Sequence, residues 1–158
     1  MSVISELKSF DPIYSRILKN EREILSNSKL FSACIKGKLL EFIRDDQFTL
    51  FSEIAYKHRR SKHEGIRLVT SIDDHHTSTL VEEFLAIGVQ VKHITNLLHS
   101  IHFVVSDREV LEIMLEESKL SFENDPSRVR YYLNIFDDLW TNGTGARKRI
   151  SELKAADT

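Results

Sequence analysis

Residues 65–113, GIRLVTSIDDHHTSTLVEEFLAIGVQVKHITNLLHSIHFVVSDREVLEI, decide the fold. They read as strand, amphipathic helix, glycine, strand, loop and strand. Residues 66–72 form a short apolar run between Gly65 and a pair of acidic residues, the pattern of a buried strand. Leu80, Val81, Phe84, Leu85 and Ile87 then recur at helical spacing until Gly88 ends the helix. Residues 89–94 and 101–105 read as further strands. Ser106-Asp107-Arg108 is a tight turn into residues 109–114, which makes the last two strands a hairpin.

Upstream, residues 30–35 are a short apolar run closed by Gly37, and they read as another strand. Residues 38–44 are ambiguous between helix and strand by periodicity alone. Phe48, Phe51, Ile54, Ala55 and His58 mark a helix whose basic end complements the helix dipole. Asp11-Pro12 places a capping acceptor and a first-turn proline ahead of Ile13, Ile17 and Ile24. That first helix either packs on the core or forms an arm joining a partner.

Downstream, Asp125-Pro126 repeats the device. Val129, Tyr132, Leu133, Phe136, Leu139 and Trp140 then make one apolar stripe. Asn142-Gly143 reads as a left-handed cap, and Thr144 as the cap of a last helix carrying Ala146, Ile150 and Leu153.

Strands alternating with helices define an α/β fold: a single mixed, mostly parallel sheet flanked by helices, with residues 66–72 and 89–94 as central strands. The expected organisation is an N-terminal helical arm over residues 1–28 and one α/β domain with C-terminal helices over residues 29–158.

The net charge of −2 excludes a basic nucleic-acid footprint over the whole domain. The single cysteine, Cys34, excludes an internal disulfide and fits a reducing cytoplasm, and its apolar setting makes it a core residue. No apolar run is long enough to span a bilayer, and the first ten residues lack the apolar region of a secretory signal. A cytoplasmic chain with neither nucleic acid nor membrane as partner is the expectation.

The segment FVVSDREVLEI, preceded by GVQVKHI, resembles sensor domains of the phospholipase D-like superfamily, as found in archaeal signal-transduction proteins and attached to histidine kinases. The spacing of Phe136, Leu139 and Trp140, followed by RKRISELKAAD, is similar to the C-terminal helices of those domains. The resemblance covers most of the chain after Leu30 and implies one phospholipase D-like half. Catalytic members use a histidine–x–lysine–(x)4–aspartate motif. Its histidine attacks phosphorus and its lysine stabilises developing phosphoryl charge. With His99 in the histidine position, Ile101 and Ser106 stand for the lysine and aspartate; with His102, Val104 and Glu109 do. Neither register supplies the lysine, whose loss removes roughly 3 kcal/mol of transition-state stabilisation. The resemblance therefore implies a non-catalytic sensory or regulatory domain with a small-molecule ligand, a signalling partner or output domain, and homodimerisation. The alternative is a divergent phosphodiesterase or nuclease using His99 or His102.

In an open α/β sheet a ligand binds beyond the carboxyl ends of the parallel strands. Those ends carry Thr70, Ser71 and Asp73 after one strand, and His93 and Thr95 after the next; His102 and Asp107 join them if their strand is suitably oriented. These seven residues are the candidate ligand-binding set. His75, His76, His93, His99 and His102, with Asp73 and Asp74 as oxygen donors, lack any spacing that organises a metal site, so neither metal nor cofactor is expected. Asp73-Asp74 sit where acidic side chains meet a helix start. The basic run 57–63 reads as a solvated helix end, and Phe136 with Trp140 as core. Of the adjacent Tyr131 and Tyr132, one must face away from the stripe.

Overall fold

A computed structural model describes residues 13–61, 65–95, 97 and 101–156 of the chain. The Asp11-Pro12 cap, His99 and the last two residues of the basic run lie outside the described residues. The described chain is α/β, with one open, mixed seven-stranded sheet and five helices.

The order of elements is α1 (Ile13–Asn27), β1 (Leu30–Cys34), α2 (Lys38–Ser61), β2 (Gly65–Thr70), α3 (His75–Ala86), β3 (Gln90–His93), β4 (Ile101–Ser106), β5 (Val110–Met114), a 3-10 turn (Leu115–Glu117), β6 (Lys119–Glu123), α4 (Pro126–Asn142), β7 (Thr144–Gly145) and α5 (Ala146–Ala156). Across the sheet the strands run β6-β5-β4-β1-β2-β3-β7. The ambiguous residues 38–44 are helical and open the long α2, whose Leu39, Leu40, Phe42 and Ile43 are all buried.

The expectation of a mostly parallel sheet holds for β1, β2 and β3 alone. β1 pairs parallel with β2, and β2 with β3. The pairings of β4 with β1, β5 with β4, β6 with β5 and β7 with β3 are antiparallel. The centre also differs: β1 is the middle strand, while β3 is next to the edge and shielded beyond only by the two-residue β7. Apolar runs report burial of their own side chains, whereas the place of a strand in the sheet is set by which distant segment pairs with it. After β3 the chain returns to the free side of β1, and this long-range step moves the centre.

The two faces of the sheet carry separate cores. On one side α1, α2 and α3 pack on Phe31, Ala33, Ile66, Leu68, Val91, Val104, Leu111 and Ile113. On the other, α4 covers Cys34, Val69, Phe103, Val105 and Val110 with Val129, Tyr132 and Phe136. The period-two alternation of each strand divides its side chains between the two. The first helix belongs to the former core through Ile13, Tyr14, Ile17, Ile24 and Leu25.

Gly143 is not a left-handed cap: its φ of −81° and ψ of 159° are extended. Glycine fits there because β7 lies tight against β3, where an added Cβ would stand 3.1 Å from the Lys92 Cβ and 3.3 Å from the His93 carbonyl oxygen. Thr144 likewise pairs with His93 in the sheet, in place of the cap assigned to it from sequence.

Candidate functional site

Three parallel strands end on one rim. Lys36 and Gly37 follow β1, Ser71, Asp73 and Asp74 follow β2, and Thr95 and Leu97 follow β3. With Thr77 they line an open cleft of about 490 Å³. Gly37 makes the turn from strand to helix at a φ of +66°, a conformation glycine adopts without strain. The start of α3 is closed by its own cap: Asp74 Oδ1 accepts the Thr77 backbone N–H at 2.8 Å. That bond is the main cause holding the Asp74 carboxyl below its ordinary pKa.

The structure brings together part of the expected set. Ser71, Asp73 and Thr95 line the cleft. The Ser71 hydroxyl donates to the Ile94 carbonyl at 3.1 Å, tying the β2 loop to the β3 loop. Asp73 is paired with Arg149 of α5 at 3.4 Å, and Arg149 Nε also donates to the Ile72 carbonyl at 2.9 Å. Thr70 is fully buried and lies opposite His93 in the sheet; its hydroxyl has no hydrogen-bond partner among the described residues.

His93 is buried at the base of this corner. Its Nδ1 accepts the Ile72 backbone N–H at 2.8 Å, and its Nε2 lies 3.0 Å from the Thr95 hydroxyl. An acceptor at Nδ1 places the hydrogen of the neutral ring on Nε2. Burial first, and then the Arg149 charge, hold the imidazole below its ordinary pKa, against the opposing pull of Asp73 and Glu152.

The remaining two residues separate. β4 runs antiparallel to β1 with Phe103 opposite Cys34, so His102 falls at the rim end of the sheet. Its side chain is buried, and alternation puts it on the same face as Val104. Asp107 is at the opposite end, where its Oδ1 accepts the Lys29 backbone N–H at 3.1 Å just before β1. It borders a different open groove, of about 590 Å³, beside Arg108, Glu109 and the start of α4. The antiparallel direction of β4 is the physical reason, since the end of that strand meets the beginning of β1.

Lys36, Gly37, Thr77 and Leu97 were missed from sequence. The strand-end rule that selected Ser71 applies equally to the end of β1, so Lys36-Gly37 was within reach of the same reasoning. Lys36 brings an ammonium to the cleft, where it donates to the Leu97 carbonyl. Lys92 of β3 is turned to the opposite face. Its Nζ donates to the Trp140 carbonyl at 2.9 Å and lies 4.8 Å from the Trp140 ring centroid.

The aromatic stripe of α4 is packing: Phe136 is fully buried and stacks on Trp140, with the Arg67 guanidinium 4.8 Å from the Phe136 centroid. Tyr131 faces out at 58 % exposure while Tyr132 is buried. His58, within the basic run, is also buried, with Nε2 3.1 Å from the Ser28 carbonyl. The Cys34 thiol is buried and pushed up to about 12 by that burial, with Lys36 pulling weakly the other way. Among the described residues no three or more histidine, cysteine or acidic side chains converge as a metal site. No described helix is long and apolar enough to cross a membrane. No protein-family model and no curated protein matches the chain.

Proposed function

We propose that this chain is a non-catalytic sensory or regulatory domain that binds a small polar ligand in the cleft beyond β1, β2 and β3. One observation carries the reading: the cleft offers an ammonium, hydroxyls and carboxylates, while the neighbouring imidazole of His93 is committed through both ring nitrogens to holding its own loops. A nucleophilic histidine needs a free ring nitrogen aimed at the substrate, and both nitrogens of His93 are engaged. Arg149 also gives the site a route outward, because it joins the Ile72 carbonyl and Asp73 to the C-terminal helix α5. A ligand that binds one arrangement of these loops more tightly shifts the population of α5 positions, which a signalling partner or output domain then reads.

The experiment is a thermal-shift and calorimetric screen with inorganic phosphate, glutamate and AMP, run beside a hydrolysis assay on bis(p-nitrophenyl) phosphate. A specific ligand raises the melting temperature. The expected result is a shift with one probe that disappears in Thr77→Arg, whose side chain fills the cleft, with no hydrolysis. Hydrolysis abolished in His99→Ala or His102→Ala would replace this reading with the phosphodiesterase alternative.

A further inference from the structure

β6 is the last strand of the sheet, and among the described residues it pairs with β5 alone. Isolated sheet edges invite pairing with another chain, and proteins blunt them with charged side chains, proline, bulges or very short strands. β6 is short and charged only at its two ends, Lys119 and Glu123, with neither proline nor a bulge between them. Its five residues, KLSFE, contain no proline and run in unbroken register with β5, from Lys119 opposite Met114 to Glu123 opposite Val110. Phe122, on this edge, is one of the few large apolar side chains left exposed, at 37 %.

The order of residues in β6 selects a partner. Set two copies antiparallel about a two-fold axis through Ser121. Lys119 then faces Glu123 of the second copy, Glu123 faces its Lys119, and Leu120 faces Phe122. Opposite charges directly across an antiparallel pair stabilise it, and like charges destabilise it. A parallel pairing would set lysine on lysine and glutamate on glutamate. Within one copy Glu123 pairs with Arg128 at 3.1 Å and Lys119 with Glu117 at 3.9 Å, partly exposed ion pairs of small worth that the second copy's charges would share or replace.

We infer that a second copy of this chain docks on β6, forming a two-fold dimer in which the two sheets join edge to edge with Ser121 on the axis. The contact is isologous, as a two-fold axis requires. It is also narrow, five residues of strand with the flank of α1 beside it, which places it among weak, reversible interfaces. It stands independently of the strand-end cleft, which lies along a different side of the molecule.

Sedimentation equilibrium of the full chain, from micromolar to several hundred micromolar, tests this. The expected result is concentration-dependent dimerisation, weakened about tenfold by Lys119→Glu and recovered in the Lys119→Glu/Glu123→Lys double variant. Circular dichroism confirms that each variant is folded. An independent arm uses Ser121→Cys, whose new thiol is the accessible one because Cys34 is buried. Mild oxidation or a short bismaleimide should couple Ser121→Cys across the axis much faster than Lys119→Cys. A wild-type chain that stays monomeric, as when another segment or another protein covers the edge, overturns the inference. So does an unaltered dimer in Lys119→Glu, or equal coupling of the two cysteine variants.

Discussion

His93 accepts the Ile72 backbone N–H through Nδ1 at 2.8 Å, and in doing so fastens the end of β3 to the turn that follows β2. One buried side chain thereby positions both loops that border the cleft. His93→Leu leaves a buried N–H without its acceptor and should cost about 1–3 kcal/mol. His93→Gln, which can still accept and donate, should cost less. Urea unfolding of both variants checks the order; equal losses would show that the imidazole acts by volume alone.

The same ring predicts an acid arm. Its folded pKa is depressed, so its contribution is fully present above the unfolded value of 6.5 and is lost as pH falls through the folded value. Stability measured from pH 7 down to pH 5 should decline more steeply in the wild type than in His93→Gln.

Glu21 produces the opposite slope. It is 1 % exposed on the inner face of α1, its carboxylate oxygens have no hydrogen-bond partner among the described residues, and burial pushes its pKa up to about 8. A raised folded pKa means that stability is fully present below the unfolded value of 4.5 and is lost as pH climbs through about 8. At about 1.4 kcal/mol per pH unit, the loss reaches several kcal/mol. Glu21→Gln should flatten that alkaline slope, and Glu21→Leu should be more stable than wild type at pH 8. A wild-type profile as flat as that of Glu21→Gln would contradict the buried, unpaired carboxyl.

Gly143→Ala should be destabilising by about 1–3 kcal/mol, the usual cost of overpacking. Its backbone is already in an extended region open to any residue, so the cost comes from the approach of the new methyl to Lys92 and the His93 carbonyl. Gly143→Asn, benign at a left-handed cap, should be at least as damaging here. Chemical denaturation of the two variants distinguishes these cases.

Tyr132 donates its hydroxyl to the Glu112 carboxylate, which also meets Arg128 at 2.8 Å. Burial, reinforced by that bond, raises the phenol pKa above its ordinary range. Tyr132→Phe should lose about 1.5–3 kcal/mol, as expected for a hydrogen bond to a charged group. The test is its melting temperature against Arg128→Ala, which removes only the exposed side of the cluster and should cost less.

Local chemistry determined much of this chain. The runs around Leu30, Ile66, Val89 and Ile101, the helix carrying Leu80 and Phe84, the stripe from Val129 to Trp140 and the Asp125-Pro126 start are legible because period and capping are properties of neighbours in sequence. So is the rim, as far as it depends on which residues follow a strand: Ser71, Asp73 and Thr95 were found that way. Tertiary structure alone decided the rest. The polar run KLSFE becomes a strand only because β5 lies beside it. β1 becomes the centre only because β4 returns to its free edge. Asp107 leaves the site because β4 runs antiparallel to β1. Pairing direction and strand order arise between residues far apart in the chain, so no window of sequence contains them.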